Sequence, residues 1–300
     1  IVFLTSSSRI RHLLQSLRTP LSIITPDGLQ ADRDEVERLA EACRRLDGVE
    51  APLQLGEPAE RFLSYENGAL VGCLELVGTS EAEGCGMVRP DRRRREIGRA
   101  LLAAARQEWR ERGFVSFLLV CDAAAVSGAA FAAAVGASYS FAEDRMELDA
   151  TRLPPQSGGP VRLRRAAEYD VDAFVRIMMA AFRNDPAEAR QVRQNTVERF
   201  RDPNRQSYIA ELDGMPVGGV EAFHTPGGSG EFINSLGVDP EHQRRGYGRQ
   251  ILVETARALI AEGSQRVMLE VETDNRSAIS LYLDCGFETI CTFEYYRVDV

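Results

Sequence analysis

Gln243-Arg-Arg-Gly-Tyr-Gly248 links a strand-like segment, 232–238, to a segment with helical spacing of apolar residues, 247–262. Glycine permits left-handed backbone conformations, so several N–H groups of such a turn can point into one concavity. The N-terminus of the following helix adds partial positive charge, and the two arginines add forked donors for phosphate oxygens. These features predict a pyrophosphate-binding turn. An ordinary glycine-containing turn with solvated arginines is the alternative for this hexapeptide alone.

A dinucleotide-binding turn of the Rossmann type is excluded, because Ile251 stands where that motif requires its third glycine. Further along the chain, the segment Asn275-Arg-Ser-Ala278-Ile-Ser-Leu-Tyr282-Leu-Asp-Cys-Gly-Phe287 has helical spacing. Asn275, Ala278 and Tyr282 fall on one face of the predicted helix. A tyrosine at that position either packs in the core or presents its hydroxyl to a cleft.

The chain repeats itself at an offset of 150 residues. An ungapped comparison of 88–137 with 238–287 gives eleven identical positions. The pairs are Val88/Val238, Pro90/Pro240, Arg94/Arg244, Arg95/Arg245, Gly98/Gly248, Arg99/Arg249, Leu102/Leu252, Gly113/Gly263, Leu119/Leu269, Ser127/Ser277 and Gly136/Gly286. The shared register of proline, arginine and glycine indicates two copies of one domain.

Composition places the boundary between the copies at 151–160, TRLPPQSGGP, because proline and glycine break helices and central strands. We therefore expect an N-terminal extension over 1–20, one domain over 21–150, a linker over 151–160 and a second domain over 161–300. Strands and helices follow in the same order in both copies. The element order predicts an α+β fold.

The 36 basic residues are all arginine, which excludes a P-loop lysine and Schiff-base chemistry. The net charge is −9 and neither half of the chain is basic, which argues against broad nucleic-acid binding. Six cysteines and three histidines show no metal-ligand spacing, so no metal site is predicted. No apolar run is long enough for a membrane span. A reduced cytoplasmic protein, with no nucleic-acid or membrane partner, is the expectation.

Together, V-x-P-x-x-Q-R-R-G-Y-G and N-x-x-A-x-x-x-Y-x-x-x-G-F resemble the GNAT superfamily of N-acetyltransferases. The resemblance covers nearly all of 20–300. It implies two tandem GNAT-like domains, each a mixed, mostly antiparallel central sheet flanked by helices, with acetyl-CoA as the co-substrate. It also implies roles for residues of the second copy. Tyr282 would protonate the departing thiolate, and acetyl-CoA would be held by Leu236, Gly237, Val238, Gln243, Arg244, Arg245, Gly246, Tyr247, Gly248 and Asn275.

The general base is left open. The family often places a glutamate eleven residues before the glutamine of the turn, and Phe232 stands there. Glu231 is the favoured candidate, although strand alternation directs it to the opposite face unless a bulge intervenes. A solvated strand-end glutamate is the alternative for Glu231. His224, Glu270, Glu272 and water are the weaker candidates.

The first copy has lost the matching residues. Glu96 replaces Gly246, and its charge and Cβ are expected to disfavour a phosphate. Ala125, Ala132 and Ala137 replace Asn275, Tyr282 and Phe287. We expect this copy to act as a scaffold or as a wall of the substrate site. The alternative is a copy that binds acetyl-CoA without turning it over.

The sequence therefore predicts an acetyl-CoA-dependent N-acetyltransferase whose second copy transfers acetyl to a primary amine by direct attack on the thioester. A small-molecule amine is the favoured acceptor. Two alternatives within the class are a mycothiol-synthase-like enzyme and a protein N-terminal acetyltransferase. The alternative from another class is a non-catalytic acyl-CoA sensor. The sequence leaves the oligomeric state open.

Overall fold

The computed structural model describes residues 21–24, 29–49, 59–78, 82–155, 158–224 and 230–300. The chain divides into two compact units. One unit comprises the chain up to Glu143 together with the C-terminal segment Cys291–Val300, and the other comprises Asp144–Ile290. The predicted extension over 1–20 lies outside the described residues.

The first unit is a mixed sheet with helices on it. Its strands follow the order β1-β2-β3-β4-β5-β12, and β4 and β5 run parallel while the other described pairs are antiparallel. The elements are β1 (Leu21–Ile24), α1 (Leu29–Asp47), β2 (Ala59–Glu66), β3 (Ala69–Val77), β4 (Glu83–Val88), α2 (Ile97–Glu111), β5 (Ser116–Asp122), α3 (Val126–Ala134) and the first part of β6 (Ser138–Leu148).

The second unit repeats this plan. Its strand order is β6-β11-β10-β9-β8-β7, with β10 and β11 parallel. The elements are β7 (Val161–Arg165), α4 (Val171–Phe182), α5 (Ala189–Arg201), β8 (Arg205–Leu212), β9 (Met215–His224), β10 (Gly230–Val238), α6 (Tyr247–Ala261), β11 (Arg266–Glu272), α7 (Arg276–Asp284) and β12 (Phe287–Asp299). Both units are α+β, which confirms the predicted fold class.

The unit boundaries differ from the predicted limits at both C-terminal strands. The segment 287–299 is the single strand β12, and its residues Phe293–Asp299 pair antiparallel with Ser116–Asp122 of the first unit. The later part of β6, in turn, belongs to the second unit. Equivalent strands carry similar patterns in the two copies, so a comparison of the sequence with itself does not reveal which sheet each one joins.

Helix α6 forms because apolar side chains recur at helical spacing and face the sheet. It buries Ile251, Leu252, Ala256 and Leu259 in the core of the second unit, whereas Ile260 is exposed. The packed helix fixes the position of the turn before it. In the described part of the chain, no helix is both long and apolar enough to cross a membrane.

Candidate active site

A gap opens between the parallel strands β10 and β11. They pair from Gly230–Ile233 to Arg266–Leu269, and the pairing ends there although β10 continues to Val238 and β11 to Glu272. On its other edge β10 stays paired with β9, where Val238 lies opposite Gly218. One edge of β10 is therefore available to an extended ligand at the carboxyl end of the strand.

A bulge lies in β10 at the start of this gap. The register with β9 shifts between Asn234 and Gly237, and Ser235 takes a left-handed φ of 53°. Downstream, the Asp239 N–H donates to the Val217 carbonyl at 2.8 Å. Backbone direction alternates along a strand, so the polar groups of Val238 point away from β9 and into the gap.

By the same alternation, the backbone groups of Gly237 are directed to β9, not to the gap as the sequence predicted. The absence of a side chain at Gly237 lets α4 pack closely on the strand, because a Cβ there would lie 2.9 Å from Met178 Sδ of α4. The Leu236 backbone shares the direction of Val238. The gap edge of β10 thus offers polar groups of alternate residues only.

The predicted pyrophosphate turn has the conformation that an anion site requires. Arg244 and Gly246 are left-handed, with φ of 60° and 82°, and Gly246 is the N-cap of α6 without a side-chain cap. The first intrahelical bond there runs from the Gln250 N–H to the Gly246 carbonyl at 3.1 Å. The N–H groups of Tyr247 and Gly248 precede it, so they have no helical acceptor and carry the positive end of the helix dipole.

Three of the polar side chains in the turn are placed around this helix end. Gln243 donates through Nε2 to the Val238 carbonyl at 2.9 Å and so ties the turn to the end of β10. Arg244 and Arg245 are exposed, and Arg245 donates to the Glu241 carbonyl at 3.2 Å. The residues present therefore fit the diphosphate of acetyl-CoA: outward N–H groups, a helix N-terminus and two exposed guanidinium groups.

Asn275 caps helix α7. Its Oδ1 accepts from the Ala278 N–H at 3.2 Å and from Ser277 Oγ at 3.1 Å. The sequence predicted that Asn275 contacts the arm of acetyl-CoA. Its oxygen serves the helix, which leaves only the exposed amide nitrogen for a ligand.

Tyr282 lies on α7 against the core of the second unit, with its ring centroid 6.1 Å from that of Phe287. Burial raises the pKa of the Tyr282 hydroxyl above its usual value. Among the described residues, nothing is hydrogen-bonded to that hydroxyl. The group is therefore a protonated donor at neutral pH.

Glu231 and His224 face each other across β10 and β9. His224 Nδ1 lies 3.0 Å from Glu231 Oε1, and the carboxylate is buried while the imidazole is half exposed. Phe232 stacks on Phe223 on the opposite face of the sheet, at 5.5 Å between ring centroids. Glu231 and Phe232 thus face opposite sides of the sheet, as strand alternation predicts. The bulge lies between these two residues and the turn 243–248. With one extra residue in the strand, Glu231 takes the face that position 232 would take in an uninterrupted strand.

Glu270 and Glu272, the other carboxylates considered as bases, lie on β11. Arg145 donates to Glu270 Oε1 at 2.8 Å, so that carboxylate is already in an ion pair. Glu272 is exposed at the end of the strand. Glu221 of β9, a completely buried carboxylate, is not among the residues that the sequence singled out. The available signal was one ionisable residue inside the apolar segment 217–223.

Comparison with known proteins identifies the family. A model described as "Acetyltransferase (GNAT) family" matches residues 171–287, and one described as "Acetyltransferase (GNAT) domain" matches 58–134. Mycothiol acetyltransferase of Thermomonospora curvata is 31% identical over 296 residues, covering 93% of this chain and 96% of that protein. The chain belongs to the GNAT family of acetyltransferases. It is an acetyl-CoA-dependent N-acetyltransferase with two GNAT domains.

Solved GNAT structures share this fold along nearly the whole chain. A GCN5-related N-acetyltransferase from Sphaerobacter thermophilus has a TM-score of 0.77 at 20% identity, covering 94% of this chain and 96% of that one. A tandem GNAT protein from the clavulanic acid biosynthesis pathway has a TM-score of 0.73 at 21% identity, covering 94% and 98%. At such identities the likeness concerns the fold alone.

The first GNAT domain keeps the backbone of the turn without its chemistry. Arg94 and Glu96 have φ of 61° and 63°, close to the values at Arg244 and Gly246. The Glu96 side chain is 77% exposed and lies 3.4 Å from Arg99. The Glu96 carboxylate therefore points to solvent, and its expected effect on a phosphate stays a prediction.

A cavity of about 150 Å³ remains between β4 and β5 of the first GNAT domain. Apolar groups and the thiols of Cys73, Cys85 and Cys121 line much of it. Burial raises the pKa of all three thiols, so they are protonated at neutral pH. Ala132, which stands where the second domain has Tyr282, is buried and offers no proton donor.

Proposed function

We propose that the second GNAT domain transfers acetyl from acetyl-CoA to a primary amine by direct attack of the amine on the thioester. The observation that carries this proposal is the conjunction, in one domain, of the uncapped N-terminus of α6 with the open edge of β10. In this proposal Gln243 to Gly248 hold the diphosphate, and the backbone groups of Leu236 and Val238 pair with the extended arm.

Tyr282 is the proposed acid. Attack of the amine places negative charge on the thioester oxygen and then on the departing sulfur. A hydroxyl whose pKa burial raises keeps its proton until a thiolate is there to take it. A backbone N–H of β10 at the gap stabilises the charge on the oxygen. The apolar residues that pack around Tyr282 limit access of water to the leaving group.

Glu231 is the proposed base, with His224 as its partner. An amine is mostly ammonium at neutral pH, so a proton has to leave the acceptor nitrogen before the attack. A buried carboxylate in contact with a half-exposed imidazole supplies both a proton acceptor and a route to solvent. In this proposal the first GNAT domain is a scaffold and does not catalyse.

The first acceptor to test is desacetylated mycothiol, because proteins that are similar to this chain over at least 90% of its length are named mycothiol acetyltransferase. The protein is incubated with acetyl-CoA and, separately, desacetylmycothiol, glucosamine, a cysteine amide and a short peptide with a free N-terminus. Mass spectrometry then measures the acetylated amine. We expect acetylation of at least one small amine. As a control, we expect the Tyr282→Phe variant to bind acetyl-CoA as the wild type does and to acetylate the amine more slowly. Binding of acetyl-CoA with no acetylated product from any amine would favour the sensor alternative.

A further inference from the structure

Glu221 lies beside the bulge of β10, at the place where the gap begins. It stands directly opposite Asn234 in the β9–β10 ladder. Directly opposed residues have Cβ atoms about 5 Å apart, and diagonal neighbours about 7–8 Å. The next residue of β10 on this face beyond the bulge is Gly237, which lies opposite Gly219 and so diagonal to Glu221, whereas Leu236 packs in the core on the other face. Glu231, opposite His224, faces the other side of the sheet, so the two carboxylates approach the gap from opposite faces.

Solvent reaches this face of the sheet next to Glu221. The Glu221 side chain is 0% exposed, whereas its cross-strand neighbour Asn234 is exposed. Gly219, two residues before Glu221, faces Phe174 of α4, and Arg199 of α5 reaches Glu221 itself. The carboxylate thus lies under α4 and α5, on the sheet face opposite α6, with Asn234 at its open side.

The charge of Glu221 is incompletely satisfied. Arg199 Nε lies 3.2 Å from Oε2, but the angle is unfavourable, and neither oxygen accepts a well-formed hydrogen bond from the described residues. Burial raises the pKa of the Glu221 carboxyl, and the nearby Arg199 and Arg205 oppose this effect. Such a site favours the arrival of another cation with N–H donors.

The first domain contains the structural counterpart. Glu75 and Glu221 each lie seven residues after the glycine of the preceding hairpin turn, Gly68 or Gly214. Glu75 faces Arg61 across the strands, and Arg61 Nε donates to it at 2.8 Å in a buried ion pair. In the second domain Ser207 stands opposite Glu221. The domain with the fitting acetyl-CoA turn is thus the one that lacks the cross-strand arginine.

We propose that Glu221 binds the ammonium group of the acceptor and, with Asn234, orients its nitrogen toward the thioester. This inference rests on the proposed function and names the acceptor-binding residue of that site. Arg199 is one-third exposed, so its guanidinium can move into solvent as the ammonium arrives. One cation replaces another, and the buried carboxylate stays compensated throughout. The acceptor class is an amine that is cationic when it binds.

Glu221→Gln is the test variant, since it keeps the shape and removes the charge. With the panel amine of highest kcat/KM, we expect a 10- to 100-fold higher KM, the usual value of a charge-assisted hydrogen bond. The acetyl-CoA dissociation constant is expected within twofold of wild type, and Tm is expected not to fall. Glu75→Gln is the matched control, which should lower Tm by leaving Arg61 unpaired and should leave KM unchanged.

Arg199→Gln is the second variant, and it gives an expectation of opposite sign. If guanidinium and ammonium compete for Glu221, the amine KM falls, whereas a purely structural ion pair gives an unchanged or higher KM. An unchanged amine KM in folded Glu221→Gln, or an unchanged or higher KM in Arg199→Gln, overturns the inference. A wild-type protein that acetylates no amine refutes the proposed function itself, so the two failures are distinguishable.

Discussion

Replacing Gly246 by glutamate transfers the first domain's turn residue into the second. Glu96 shows that this turn accepts a side chain, since it has φ of 63° and ψ of 5°, near the 82° and 0° of Gly246. Apart from its two chain neighbours, no heavy atom in the described part of the chain lies within 4 Å of a Cβ placed on Gly246. We therefore expect Gly246→Glu to fold, with a cost of about 1–2 kcal/mol for a left-handed residue other than glycine.

The effect on acetyl-CoA comes from charge. Two unit charges about 6 Å apart interact by about 3 kcal/mol at an effective dielectric constant near 20. By analogy with Glu96, the new carboxylate points to solvent, which reduces this repulsion to roughly half. The dissociation constant of acetyl-CoA should then rise about tenfold. A larger penalty would require a buried charge, and the geometry at Glu96 argues against one.

Isothermal titration calorimetry at low and high salt measures this effect. Gly246→Gln is the matched control, because it has the same bulk and backbone strain without the charge. We expect the glutamate variant to bind about tenfold more weakly than the glutamine variant at low salt, and the ratio to shrink as salt screens the repulsion. Equal affinities of the two variants at low salt would refute the assignment of the turn as the diphosphate site.

Three further expectations follow from the described geometry. Tyr282→Phe should lower kcat about 10²-fold with unchanged acetyl-CoA affinity, as measured by steady-state kinetics and calorimetry; an unaltered kcat would remove Tyr282 from the mechanism. Asp170→Asn should lower the free energy of unfolding by about 2 kcal/mol, because Asp170 accepts from both terminal nitrogens of Arg164 at 2.7 and 2.8 Å. Arg164 lowers the pKa of Asp170 below 3.8, so this stability is present above about pH 4 and is lost as pH falls through the folded-state value. Urea unfolding at pH 3 and pH 7 should therefore show a smaller wild-type–variant difference at pH 3. Calorimetry should also give one acetyl-CoA per chain, and two equivalent sites would contradict the expectation that the altered turn of the first domain does not hold acetyl-CoA.

The local parts of the site were predictable from sequence because each depends on neighbouring residues. The predicted helix 247–262 is found as Tyr247–Ala261, and the left-handed residue at its start is the glycine of the motif. The position of Tyr282 on α7 was predictable for the same reason, since it follows from helical spacing. Its role stays a prediction.

The parts that the sequence did not predict depend on pairing between strands. One extra residue in β10 produces the bulge at Ser235, and a single sequence does not show where a strand absorbs such a residue. The bulge decides which face Glu231 takes. The burial of Glu221 is a similar case, because a glutamate in an apolar strand is recognisable only as an exception until its cross-strand neighbours are known.

The two domains differ in side chains at positions where their backbones agree. Glu96 keeps a left-handed conformation that costs about 1–2 kcal/mol for any residue other than glycine. A strained conformation persists only when its surroundings fix it, and here the packed helix α2 and the Arg93 bond to the Val88 carbonyl at 3.1 Å do so. Gln243 makes the corresponding bond to Val238 in the second domain. The turn therefore has a structural function of its own, which is to connect the end of a strand to its helix, and ligand binding is an additional demand. The first copy has lost the glycine and keeps the fold of the turn, so the structural function does not depend on that glycine.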